Sequence, residues 1–517
     1  MRHQGAAEAR TGDNAAAVDI DARHELADAD RNLRSGRAGK QAVSAAGPPQ
    51  GAIGSPSGGS AATTGASVGA QQHRAAGPPQ GAIGSPSGGS AAATAASVGA
   101  QQNASAFGYV DGELRVEAVP FAQIAARFGT PCYVYSRAAL EGAFRNFDAA
   151  FADLPHLVCY AMKANSNLAV LNLLARAGSG FDIVSGGELA RALAAGGDPA
   201  KIVFSGVGKT AEEMEAALAA GILCFNVESE AELGLLDTVA AKVGKVAPIS
   251  FRVNPDVDPR THPYISTGLK ESKFGIAYAD APALYRRASA LAHVGVHGID
   301  CHIGSQVTDL SAYIEAAEKM FDLADRIEAD GIALAHIDLG GGLGIRYRDE
   351  ETIDPYEYAL AVRRARGART HRLLFEPGRF LIGHAGVLLT RVLYLKPGET
   401  RDFAIVDAAM NDLIRPALYA AWHSVDPVRP RSDPPRRWQL VGPVCESGDF
   451  LAQDRDLALV AGDLLAVRAA GAYGFVMSSN YNSRPRACEV IVDGDRVHLV
   501  RPRETLADLF ARETTLR

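Results

Sequence analysis

A lysine, a histidine, a glycine run and two acids have the types and settings for chemistry. Lys163 follows a short apolar run in CYAMKANSN, His302 lies in CHIGSQ, residues 340–344 read GGGLG, and Asp182 and Glu376 fall in GFDIVSGGEL and FEPGR. A lysine set among Tyr160, Ala161, Met162 and Ala164 is expected to be desolvated, which lowers its pKa and leaves an amine that attacks carbonyls. Glycines let backbone N–H groups approach an anion closely, because no Cβ intervenes. Neither the spacing of a dinucleotide fingerprint nor a P-loop is present. A Schiff-base lysine, a phosphate cradle and a carboxylate for a pyridine nitrogen are together what pyridoxal 5'-phosphate needs. Glu376 is the candidate for that nitrogen, and His302 is a candidate to stack on the ring, with a hydrogen-bonded structural histidine as the alternative.

Such residues must be positioned by elements. Apolar, β-branched runs at 157–161, 181–184, 202–205, 223–227, 249–253, 297–302, 335–339 and 372–376 alternate with segments of helical periodicity such as 187–195, 210–220, 229–242, 279–292 and 310–329. Eight strand–helix units over residues 131–380 predict a (β/α)8 barrel, with a doubly wound open sheet as the alternative. Chemistry in such a barrel sits at the carboxyl ends of the strands, and Lys163, Asp182, Asn226, Asn254, His302, the glycine run and Glu376 all fall there. Beyond 380, short strands split by Gly, Pro and Asp predict a mainly β domain. The segment YVDGELRVEAVP predicts a hairpin at Asp111-Gly112, and residues 106–130 are assigned with 381–517 to the β domain. Residues 45–72 recur almost unchanged at 75–102, and from Gln41 to Ala106 there is no aromatic residue and no Asp, Glu or Lys. Residues 1–105 are therefore expected to be an unstructured low-complexity extension.

Seven motifs carry a family resemblance: YAMKAN, GFDIVSGGEL, HIGSQ, GGGLGI, EPGR, GPVCESGDFLA and GAYGFVMSSNYN. In family order from about Phe107 to the C-terminus, they resemble the diaminopimelate decarboxylases, within the alanine-racemase-like (fold type III) pyridoxal-phosphate enzymes. The resemblance implies decarboxylation of meso-2,6-diaminopimelate at its D-centre to L-lysine and CO2, the last step of lysine biosynthesis. It implies that Lys163 holds the cofactor, His302 stacks on the ring, Glu376 meets the pyridine nitrogen, and Asp182 and Glu188 support the site. Ser305, Gly341, Gly342 and Gly378 are implied as phosphate contacts. Arg379, which also borders the cofactor, Arg415 and Tyr419 are implied as binders of the substrate's far carboxylate. Tyr473 would touch cofactor and substrate. Cys445, as proton donor, and Glu446, for the far ammonium, would be lent by the second subunit of a homodimer. Bidentate guanidinium donors suit a carboxylate in a way that lysine cannot match.

The alternatives are a decarboxylase of another diamino acid (ornithine, arginine or D-lysine), a racemase, and a binding protein that keeps the fold. The first has no use for a guanidinium pair, the second needs an acid–base residue across the ring from Lys163, and the third would be expected to lose Lys163 or Cys445. A net charge of −7 without a basic run argues against nucleic acid and anionic membranes. Six scattered cysteines with no Cys-x-x-Cys pair give no sign of a metal site or a disulfide framework, and fit reduced thiols in the cytoplasm. No apolar stretch is long enough to span a bilayer, and residues 1–40 lack the apolar core of a signal peptide.

Overall fold

The computed structural model of the chain describes residues 106–258 and 273–516. The expectation for residues 1–105 lies outside the described residues.

Eight parallel strands form a closed ring: His156–Ala161, Gly180–Ile183, Ile202–Phe204, Cys224–Val227, Ala247–Asn254, Val294–Asp300, His336–Asp338 and Arg372–Phe375. Leu373 pairs with His156, so the eighth strand meets the first, and Phe225 pairs with Ile249 where the fourth meets the fifth. That closure excludes the open sheet. Each strand lies within three residues of its predicted ends. The reason is compositional: strands covered on both faces read as short, nearly unbroken apolar runs, and GFDI, IVF and CFNV are buried at every residue.

The helices start where cap residues wait for them. Ser185, Thr210, Ser229 and Asp354 each accept a backbone N–H at the head of a helix. Glu213 completes a capping box with Thr210 and also accepts from Gly186 N (2.7 Å), tying two adjacent strand–helix units at the rim.

A second, mainly antiparallel sheet is built from Gly386–Lys396, Asp402–Val406, Arg436–Val441, Phe450–Leu457, Leu464–Val467, Cys488–Asp493 and Arg496–Arg501. The predicted hairpin forms, with Asp111 and Gly112 both at positive φ, and Leu114, Val116 and Phe121 pack against Val134, Val387 and Val490 of that sheet. Strand Cys132–Ser136, inside the range assigned to the barrel, lies in this sheet between Gly386–Lys396 and Cys488–Asp493. The polypeptide therefore crosses into the barrel at helix Arg137–Ala150, six residues later than the assigned boundary at 131. Among the described residues, no helix is long and apolar enough to cross a membrane.

Candidate active site

Lys163 owes its place to the residues around it. The first barrel strand is buried through Ala161, and a short turn, Met162–Ala164, then carries the chain over the rim. Asn167 caps the next helix by accepting from Ala169 N, which fixes where the turn must end. Asn165 donates to Gly471 O (3.1 Å), and Tyr473 N donates to Ala164 O (2.8 Å), pinning the turn to GAYG of the β domain. Tyr473 itself has φ 55°. Between these anchors the Lys163 side chain faces a cavity of about 350 Å3, keeping 35% of its surface exposed.

Its amine donates to Asp182 Oδ2 at 2.6 Å, and Asp182 is fully buried on the neighbouring strand. This corrects the expected neutral lysine. Desolvation does push its pKa down, but the Asp182 and Glu376 carboxylates outweigh it, and the pKa rises above the usual lysine value. Lys163 is thus an ammonium held against the Asp182 carboxylate.

Behind Lys163 the barrel holds more acid than base. Carboxylate oxygens of Asp300, Asp338 and Glu376, all buried, lie within 4.8 Å of one another. Burial, then the neighbouring carboxylates, raises Glu376 and Asp300 well above the carboxylate range. Burial also raises Asp338 to about 7, even though its Oδ1 accepts the Gly340 N–H at 2.8 Å. Like charges this close cannot all ionise. Glu376 is therefore buried behind Lys163 with a proton to share, and Asn226 Nδ2 sits 3.5 Å from its Oε1. Glu188 accepts from Val184 N (2.7 Å) at the rim, and burial lifts it to about 6.

His302 lines the cavity. Gly341 N donates to its Nδ1 at 3.1 Å, so the other nitrogen carries the hydrogen. Desolvation, with Arg252 and Lys163 nearby, holds its pKa well below the usual histidine value, and the ring is neutral. The glycine run thus does something other than the simple anion approach expected of it. The N–H groups of Gly340 and Gly341 are held by Asp338 and His302. Its glycines are required by close approach: a Cβ at Gly341 would overlap the Glu376 carbonyl, and one at Gly342 the Gly304 carbonyl. The loops after the sixth, seventh and eighth strands can touch only because those side chains are missing. Ser305 and Gly378 lie in the first and last of these loops.

Arg379 and Arg415 enter the same cavity and are 5% and 6% exposed. Arg379 donates to Tyr347 Oη (2.6 Å) and Ser305 Oγ (2.9 Å), and its guanidinium lies 4.7 Å from the centroid of the Tyr473 ring. Arg415 donates to His423 Nε2 (2.9 Å) and sits 4.6 Å above the Tyr347 ring. Among the described residues no carboxylate pairs with either guanidinium. Glu350 also lines the cavity, but it accepts the backbone N–H groups of Tyr347 and Arg348 (2.9 and 2.8 Å). Two buried cations left with neutral partners make a wall built for an anion. Tyr419 lines the wall beside them.

Cys445 and Glu446 are not brought to this cavity. They sit exposed on the loop between strands Arg436–Val441 and Phe450–Leu457, with Cys445 N donating to Asn482 Oδ1 (2.8 Å) and Glu446 accepting from Tyr481 Oη (2.8 Å). Tyr347, His423 and Trp422 escaped the sequence reading. The first lies in a loop of mixed charge, and the other two follow RPALY by only a few residues.

The wall fits pyridoxal 5'-phosphate. An amine faces the cavity, a proton-sharing glutamate lies behind it, a neutral imidazole forms part of its lining, and strand-end loops are packed too tightly to admit a Cβ. Residues 137–383 match the family model described as pyridoxal-dependent decarboxylase, pyridoxal binding domain. The chain is 62% identical over 410 residues to a diaminopimelate decarboxylase of Pseudomonas aeruginosa, covering 79% of this chain and 99% of that one. To the enzyme of the same name from Vibrio cholerae it is 59% identical over 407 residues, 78% of this chain and 98% of the other. Among solved structures, it resembles diaminopimelate decarboxylase from Helicobacter pylori complexed with L-lysine, with TM-score 0.74, 44% identity, and coverage of 76% of this chain and 99% of that one. A lysine/ornithine decarboxylase from Vibrio vulnificus, complexed with cadaverine and 21% identical, shares the fold, with TM-score 0.65 over 72% of this chain and 97% of that one. The chain belongs to the diaminopimelate decarboxylase family of pyridoxal-dependent decarboxylases.

Proposed function

We propose that this chain removes CO2 from the D-centre of meso-2,6-diaminopimelate and releases L-lysine, with pyridoxal 5'-phosphate as its cofactor. The observation that carries this reading is the pair of buried guanidiniums that have no carboxylate partner among the described residues. Diaminopimelate has a second carboxylate to offer them, and ornithine does not.

Held through the Lys163 amine, the cofactor supplies the electron sink that takes up the pair left behind when CO2 departs. The chain's own residues do the rest. Asp182 keeps Lys163 at the rim. Glu376 would share its proton with the pyridine nitrogen, and its raised pKa suits that role. His302 presents a neutral ring as a stacking wall. Ser305, Gly342 and Gly378 would hold the phosphate, and Gly341, whose N–H goes to His302, lets the loops close around it. Arg379, Arg415 and Tyr419 fix the far carboxylate, and Tyr473 borders the reacting end. Cys445 of a second copy gives its proton to the α-carbon, and Glu446 of that copy takes the far ammonium. The exposure of both residues on one loop supports a homodimer that completes the site. Six free cysteines, five of them buried, are consistent with a reducing cytoplasm.

The test is CO2 release from meso-diaminopimelate, L-ornithine and D-lysine at equal concentration. The reading requires turnover of the first and about a hundredfold less of the others, the discrimination expected when buried charge is left unpaired. Comparable rates on all three would overturn it.

A further inference from the structure

The proposed reading rests on Arg415 being available to a substrate carboxylate, yet a buried guanidinium needs partners of its own. The structure gives it an unusual one. His423 is fully buried, eight residues beyond Arg415, on the segment that follows the short helix Arg415–Tyr419. Its Nδ1 lies 2.8 Å from the Arg468 carbonyl oxygen, which can only accept, so Nδ1 carries the hydrogen. Its Nε2 lies 2.9 Å from Arg415 Nη1, which can only donate, so Nε2 carries none. The two bonds fix one neutral tautomer. Burial, with Arg415 alongside, pushes the pKa of His423 down to about 3, in keeping with that geometry. Tyr347 closes the other side, its ring edge-on to His423 at 5.3 Å and its face under the guanidinium.

An aspartate or glutamate in the place of His423 would hold Arg415 equally well, but would neutralise it. A neutral imidazole holds the guanidinium and leaves its charge to the cavity. We propose that His423 is a positioning residue for substrate selection, one that orients Arg415 through an uncharged acceptor so that its full positive charge meets the far carboxylate. His423 acts through Arg415 and touches no substrate.

The experiment compares His423→Gln with His423→Glu in the cofactor-loaded enzyme, measuring calorimetric affinity for L-lysine and for cadaverine, which lacks the carboxylate. The two substitutions have the same shape and differ in charge, so a merely structural role would affect both alike. The expected result is L-lysine affinity within about threefold of the unmutated protein for H423Q and at least about tenfold weaker for H423E, with cadaverine affinity equal in the two. Equal L-lysine affinity in H423Q and H423E would overturn the proposal. If the unmutated enzyme does not discriminate L-lysine from cadaverine, the far-carboxylate reading itself is at fault. Imidazole 15N shifts in the unmutated protein give a check that depends on no variant folding. His423 should stay in the Nδ1–H neutral tautomer from about pH 5 to 8, unlike a free histidine, and a ring protonated at Nε2 would overturn the proposal as well.

Discussion

Arg379 and Arg415 share one cavity wall, no carboxylate among the described residues pairs with either, and holding both there is costly. Two like charges held at low exposure repel and lack solvation, and the cost is recovered when an anion arrives. Replacing either by lysine keeps the charge but loses the fork. Arg379→Lys and Arg415→Lys should each raise KM for diaminopimelate by about ten- to a hundredfold, with a smaller effect on kcat, because the far carboxylate is bound in both ground and transition states. Steady-state kinetics on the folded variants checks this. The acidic floor makes a different prediction. Asp338 has a folded pKa of about 7, raised from its ordinary value by burial. A raised carboxyl pKa means that the folded state keeps a proton which the unfolded state releases, so stability is present at low pH and is lost as pH climbs to 7. Asp338→Asn cannot titrate and keeps the oxygen that accepts from Gly340 N. Urea unfolding of the cofactor-free protein should show the variant gaining about 2 kcal/mol over the unmutated protein between pH 5 and pH 7. A constant difference across that range would mean that Asp338 is ionised throughout. At this scale the sequence exposed the residues but not their charge states. Lys163 reads as a desolvated amine in CYAMKANSN, because nothing local announces that Asp182, 19 positions away, lies 2.6 Å from it.

The rim loops are where the elements depend most on side-chain absence. A methyl group at Gly341 has nowhere to go but into the Glu376 carbonyl, so Gly341→Ala must part the loops that follow the seventh and eighth strands. The expected result is a loss of about 1–3 kcal/mol in stability, the usual cost of overpacking, together with loss of the cofactor on gel filtration. A variant that holds the cofactor as tightly as the parent would show that this approach is not needed. The barrel strands were legible because burial on both faces leaves a continuous apolar signature, and their helices because apolar residues recur at helical spacing. The strand Cys132–Ser136 was not among the strands expected from the sequence, and its place in the second sheet was not legible either. CYVYS is apolar like the barrel strands, and its partners around Gly386 and Cys488 are more than 250 residues away. Local pattern reports burial, whereas pairing is decided by the rest of the fold.

For the molecule as a whole, the cavity of one chain holds Lys163 and the guanidiniums, while Cys445 and Glu446 stand outside it on an exposed loop. The motif VCESGD was legible, but only the family resemblance, and not the residues themselves, assigned it to a second subunit, because an interface leaves no periodicity in a single sequence. If two copies complete each other, Lys163→Ala and Cys445→Ala chains, each inactive alone, should recover about a quarter of the unmutated activity when unfolded and refolded together, from random pairing in a two-fold dimer. No recovery would place the proton donor within one chain. Deletion of residues 1–105 should leave turnover within about twofold, as expected from their low-complexity composition. A large drop in turnover would assign that segment a part in the reaction. The central claim is that the rim amine at the end of the first barrel strand carries the cofactor. Borohydride reduction of the purified protein, followed by intact mass and peptide mapping, tests it directly. The account predicts one pyridoxyl phosphate group per chain, on the peptide containing Lys163. A group fixed to any other lysine, or none at all, would contradict it.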